Sequence, residues 1–162
     1  MQTFSIKKII SFIIVLLILV ILIFAIRHKI SPLAWNIYGE VNTTENVAID
    51  GFDPTTYHLS SAVQKGKNSI NYNWKDVDWH FVSEENRSQF QADPEKFAPQ
   101  FGGFCALAVS IGMTADADPE IWHVDEGKLY LFKDQSPKDD WLNKQVEGIV
   151  TDAEKNWSKY FN

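Results

Sequence analysis

The sequence predicts an α+β domain, a small antiparallel sheet with several short helices, preceded by one transmembrane helix. Three observations lead there. Ile9 to Ile26 run without a single charge, and at about 1.5 Å of rise per residue a helix of that length just crosses the hydrocarbon of a bilayer. Beyond it, stretches of strand length alternate apolar with polar residues between turn-forming positions. Short segments opening on helix-capping residues lie among those stretches.

The apolar run is longer than the usual core of a cleaved signal, and Phe24-Ala25-Ile26-Arg27 offers no small-x-small cleavage site, so an uncleaved anchor is expected. Lys7 and Lys8 flank one end and Arg27 and Lys29 the other, which leaves the charge rule almost without preference. A short amino-terminal tail ahead of one span usually stays inside. The expectation is therefore a single-pass protein of the cell membrane with its domain outside the cytoplasm, and Trp35 and Tyr38 in the aromatic belt. Residues 1–30 read as anchor, 31–46 as linker and 47–162 as domain, with the polar Glu40 to Asn46 suiting a tether.

Within the domain, Val47-Ala48-Ile49 reads as a short strand, and Asp53-Pro54 as a capped helix start. Ser69 to Trp74 and Val77 to Val82 read as strands around a Lys75-Asp76 turn. Ser83 caps a helix through Ala92, closed by Asp93-Pro94. After the Gly102-Gly103 turn, Phe104 to Ile111 forms a short apolar helix that Gly112 ends. Trp122 to Val124 and Lys128 to Phe132 flank Asp125-Glu126-Gly127, a hairpin signal. Ser136-Pro137 opens a helical stretch to Tyr160, broken near Gly148 and restarted with Thr151 as cap.

Charge narrows the function. From Glu40 onward the chain carries 11 basic and 21 acidic residues, a net of −10. Such a surface repels nucleic acid, so no nucleic-acid partner is expected. The one cysteine, Cys105, forbids an internal disulfide. It follows the Gly-Gly turn at the start of a short helix, where backbone N–H groups favour a thiolate. The competing reading is a small buried hydrophobe, as free cysteines often are.

His80 and His123 each follow a tryptophan within a predicted strand. If both strands share a sheet and bury their tryptophans, the two imidazoles emerge on one face, with His58 as a third nitrogen. Otherwise they are solvent-facing strand residues. Asp116, Asp118 and Glu120 lack the glycine and distal glutamate of a calcium loop, and Asp139-Asp140 complements a helix dipole. No nucleophile elbow, phosphate-cradling loop or HExxH motif is present.

Val47-Ala48-Ile49-Asp50-Gly51-Phe52-Asp53-Pro54-Thr55-Thr56-Tyr57 resembles the opening of membrane-associated or exported YHS-domain proteins. So do Trp79 to Phe90, Ala92 to Ala106 with its Gly102-Gly103-Phe104-Cys105-Ala106, Asp118 to Trp122, Gly127 to Leu131 and Ala153 to Trp157. The resemblance spans roughly Val47 to Trp157. It implies a small module associated with metal binding, in relatives of which three cysteines hold the metal. Laid on this chain those positions are Thr56, Val82 and Asn86, and none supplies a thiolate. Selenoproteins among similar chains imply redox use.

The expectation is a membrane-anchored YHS-domain binding module rather than an autonomous enzyme. Its ligand is a metal ion, copper or zinc, on Cys105 with His80, His123 or His58, or a protein partner in metal or redox handling. One rival is a thiol redox protein using Cys105. Another is a scaffold that docks a membrane protein through its acidic, aromatic-rich surface, with Cys105 purely structural.

Overall fold

A computed structural model describes residues 6–59, 62–144 and 148–161. The chain opens with α1 (Ile6–Arg27), followed by β1 (Ser31–Pro32), β2 (Thr43–Thr44), β3 (Val47–Ala48) and α2 (Thr56–Leu59). Then come β4 (Lys67–Trp74), β5 (Val77–Phe81), α3 (Glu84–Ala92), α4 (Pro94–Phe97) and α5 (Ala106–Ser110). It closes with β6 (Met113–Thr114), β7 (Asp118–Asp125), β8 (Lys128–Phe132), α6 (Gln135–Lys144) and α7 (Ile149–Ser158). The α+β class stands. The one antiparallel sheet expected is instead three small sheets: β1–β6, β2-β3-β5-β4 and β7–β8, with β3 and β5 parallel.

Helix α1 is long and apolar enough to span a membrane, with a mean hydropathy of 3.7 and none of its residues buried. It does not lead into a tether. The Ile30 N–H donates to the Ala25 carbonyl (2.8 Å) and the Lys29 N–H to that of Ile26 (3.2 Å), a Schellman ending. Lys29 takes the left-handed position (φ 50) that glycine usually fills, at roughly 1 kcal/mol. Its ammonium compensates, donating to Asn42 Oδ1 (2.6 Å), the Thr43 carbonyl (2.9 Å) and Asp116 Oδ1 (3.2 Å).

The segment 31–46 is thus part of the domain. β1 pairs with β6, β2 with β3, Leu33 is fully buried, and Val41 and Asn42 are nearly so. Asn42 is buried because its polarity is satisfied inside: its amide donates to the Gly103 carbonyl (3.2 Å) and Asp116 Oδ1 (2.8 Å), and its N–H to the Gly102 carbonyl (2.8 Å).

Strand β8 divides two hydrophobic cores. Leu129 and Leu131 face one, with Trp79, Phe81, Phe90 and Phe97; Tyr130 and Phe132 face the other, with Phe104, Cys105, Val109 and Trp141. Period-2 alternation normally leaves one face of a hairpin strand wet, but here both are covered. Pro99 and Cys105 bridge in parallel to Leu129 and Leu131, so the segment from Pro99 to Cys105 runs beside β8.

Helix α3 matches expectation, with the Ser83 hydroxyl accepting from the Asn86 N–H at 3.2 Å. Three other elements differ. Asp53 makes a side-chain turn onto the Thr55 N–H (2.9 Å), so α2 starts only at Thr56. α5 is shorter than expected, and Cys105 is the residue preceding it. Thr151 lies inside α7, which starts after a left-handed Gly148 (φ 91) rather than at a threonine cap. Residues 145–147 of the expected helical stretch lie outside the described residues.

Candidate functional site

Cys105 is 3% exposed, among Phe104, Val109, Phe132 and Trp141. Burial pushes the thiol up from its ordinary range. The backbone N–H groups of Ala108, Lys133 and Leu107 pull the other way and are outweighed. A five-residue helix adds little dipole, and desolvation wins.

The histidines are not gathered. His80 lies on β5 in the four-stranded sheet and His123 on β7 opposite Tyr130, so the shared face would have required one sheet where there are two. His80 Nδ1 packs over the backbone of Gly51. His58, on α2, stands edge-on to Phe97 (ring centroids 5.7 Å), with its Nε2 buried and without a partner among the described residues. Among the described residues no three His, Cys, Asp or Glu side chains stand together in an arrangement that could hold a metal ion. Zinc and copper(I) want several soft donors, and the chain's one thiol, buried in an apolar core, is a poor fit for them.

Thr56, Val82 and Asn86 do come together, around Asp53. This carboxylate is fully buried, yet Oδ1 accepts from the Thr55 N–H (2.9 Å) and hydroxyl (2.6 Å), and Oδ2 from the Val82 N–H (2.9 Å) and the Asn86 amide (2.8 Å). The Thr56 hydroxyl donates to the Asp53 carbonyl (2.7 Å) and accepts from the Gln64 N–H (3.2 Å). With every oxygen satisfied, this is a structural knot that ties α2 to the β5–α3 junction.

Open to solvent is a cleft of about 110 Å³ whose wall includes Glu40, Trp74, Lys75, Trp79, Glu95 and Gly102. Two backbone features build it. Phe101, Gly102 and Gly103 are successively left-handed (φ 56, 58 and 81), and a Cβ on Gly102 would collide with the carbonyl of Glu40. That glycine lets the 40–42 segment close over the turn and brings the Glu40 carboxylate to the rim. Opposite, the β4–β5 hairpin turns through Lys75 and Asp76, both left-handed (φ 55 and 60), where Asn-Gly would cost least.

The turn carries the Lys75 ammonium to 4.8 Å above the Trp74 ring, in an ion pair with Glu40 and 3.8 Å from Glu95. A cation thus rests on an aromatic face between two carboxylates. All three charged side chains are at least a third exposed, so each of these pairs contributes at most about 1 kcal/mol.

Sequence reasoning missed this cleft because its walls come from four separated stretches. The one local signal was a two-residue turn with lysine where glycine or asparagine is favoured. In comparisons with known proteins, no family model, no curated protein and no solved structure matches the chain.

Proposed function

We propose that this chain is a membrane-anchored, YHS-like interaction domain that recognises a basic side chain of a protein partner at the Glu40–Trp74–Glu95 cleft. The observation that carries it is the Lys75 ammonium lying over Trp74 between Glu40 and Glu95, which marks the cleft as a cation site filled from within. An arginine or lysine from a partner displaces Lys75 at small cost, because exposed pairs are weak. The net charge of −10 from Glu40 onward attracts such a partner. Strain at Lys75 and Asp76 supports a role beyond folding, since a glycine-containing turn would be easier to form.

The reading favours the scaffold expectation over metal or thiol chemistry, because the sulfur and the three imidazoles lie in separate surroundings. It is tested on the full chain in detergent micelles, titrated with N-methylguanidinium at constant ionic strength. The Trp74 indole resonance shifts saturably with millimolar affinity. Exchanging Lys75-Asp76 for Asn-Gly raises stability by about 1 kcal/mol or more and tightens the probe several-fold. Shifts that never saturate, or that are unchanged in Glu40→Gln, remove the site.

A further inference from the structure

Outside α1, the three most exposed large apolar side chains among the described residues are Ile111 (74%), Trp35 (67%) and Ile37 (58%). β1 pairs with β6 so that Pro32 faces Met113, and the Leu33 N–H donates to the Gly112 carbonyl (3.0 Å), so Ile111 is one residue and Trp35 two residues from that bond, with Ile37 two residues further along the chain. This stretch follows closely on the end of α1. Only His28, Lys29 and Ile30 separate α1 from β1, and they have no slack. The His28 carbonyl accepts from the Asp116 N–H (2.8 Å), the Lys29 carbonyl accepts from the Thr114 hydroxyl (2.8 Å), and the Lys133 ammonium stands 5.3 Å over the Phe24 ring.

We infer that the edge of Trp35, Ile37 and Ile111 docks on the lipid around α1 and holds the domain against the bilayer in one orientation. The inference rests on reading α1 as a membrane span. Ile30 to Gly39 carries no charge, whereas the chain from Glu40 onward is strongly acidic. Tryptophan and isoleucine beside a span suit the boundary between headgroups and acyl chains. Also at the α1 exit, beside His28, is a wide groove rich in charge, with Asp50, Asp116, Asp118 and Glu120 facing Lys65 and Lys133, which belongs in water. The asymmetry tilts the domain towards its apolar edge. Tyr38, by contrast, packs on the core and is not part of that edge.

Of the six tryptophans, Trp35 alone is exposed among the described residues, so lipid contact can be read from it. The full chain is reconstituted into phosphatidylcholine vesicles with bromine near the headgroup end of the acyl chains. The wild type loses tryptophan emission to the bromine. Trp35→Phe abolishes at least half of that quenching, and Ile111→Asp, at a solvent-facing site, reduces it with an unchanged circular dichroism spectrum. Quenching equal in Trp35→Phe overturns the inference. So does its absence from a wild type that resists alkaline carbonate extraction, whether the edge faces water or a second copy covers it in a concentration-dependent dimer. Extraction by carbonate would instead show that the span reading itself fails, and the docking with it.

Discussion

The two faces of β8 handle polar atoms in opposite ways. On the Leu129–Leu131 side the core ends at Asp53, a buried carboxylate with four donors, and the Trp79 indole donates to the Trp74 carbonyl (3.2 Å). On the Tyr130–Phe132 side the core encloses the Cys105 sulfur and the Trp141 Nε1, which is buried without a partner among the described residues. One core closes on a fully bonded carboxylate; the other leaves an indole donor unbonded and is tied at its margin by the Asn156 amide, which donates to the Val109 (3.1 Å) and Ser110 (2.9 Å) carbonyls. The teaching is that the Gly-Gly-Phe-Cys-Ala stretch contributes most through its glycines. Gly102 builds the surface cleft while Cys105 fills the apolar interior.

The largest break in that contrast is Asp53→Ala. It strands the buried Thr55 N–H and hydroxyl together with the half-buried Val82 N–H and Asn86 amide, and costs about 3 kcal/mol or more, measured by denaturant unfolding of the full chain in micelles. The tryptophan pair sharpens it. Trp79→Phe removes the indole donor to the Trp74 carbonyl and costs about 2 kcal/mol, whereas Trp141→Phe removes a donor with no partner among the described residues and costs about 1 kcal/mol. Equal costs would erase the difference between the faces.

The smallest effect comes from His58. Burial first, and Lys96 less strongly, hold its pKa below 6.5 against the pull of its hydrogen bond to the Phe97 backbone. The unfolded chain therefore takes up the proton first. The contribution is complete above the unfolded value of about 6.5 and is lost as pH falls from there towards the lower folded value. His58→Phe flattens that part of the stability profile, and an unchanged slope would assign it elsewhere.

Where local chemistry decides, the fold was legible. Ser83 capping α3, the β4–β5 and β7–β8 hairpins and the apolar α1 all follow from neighbours in sequence. The segment 31–46 was not, because Asn42 and Thr43 read as solvent-facing until their partners on Lys29, Gly102, Gly103 and Asp116 are known. The histidine site was out of reach for the same reason, since strand alternation fixes a face only within one sheet. Cys105 was open to two readings because a helix start and a core position draw on the same sequence pattern. The cleft depends on contacts between residues 40 and 102 and between 75 and 95, which no local period encodes.

The most direct test of the claim that Cys105 is an interior residue, and that function lies at the surface, is its alkylation rate in the folded full chain across pH and denaturant. Modification is predicted to be slow at neutral pH and to rise in parallel with global unfolding. Fast modification without denaturant, with an apparent pKa below the ordinary value of about 8.5, would contradict it and return the thiol to the centre of the function.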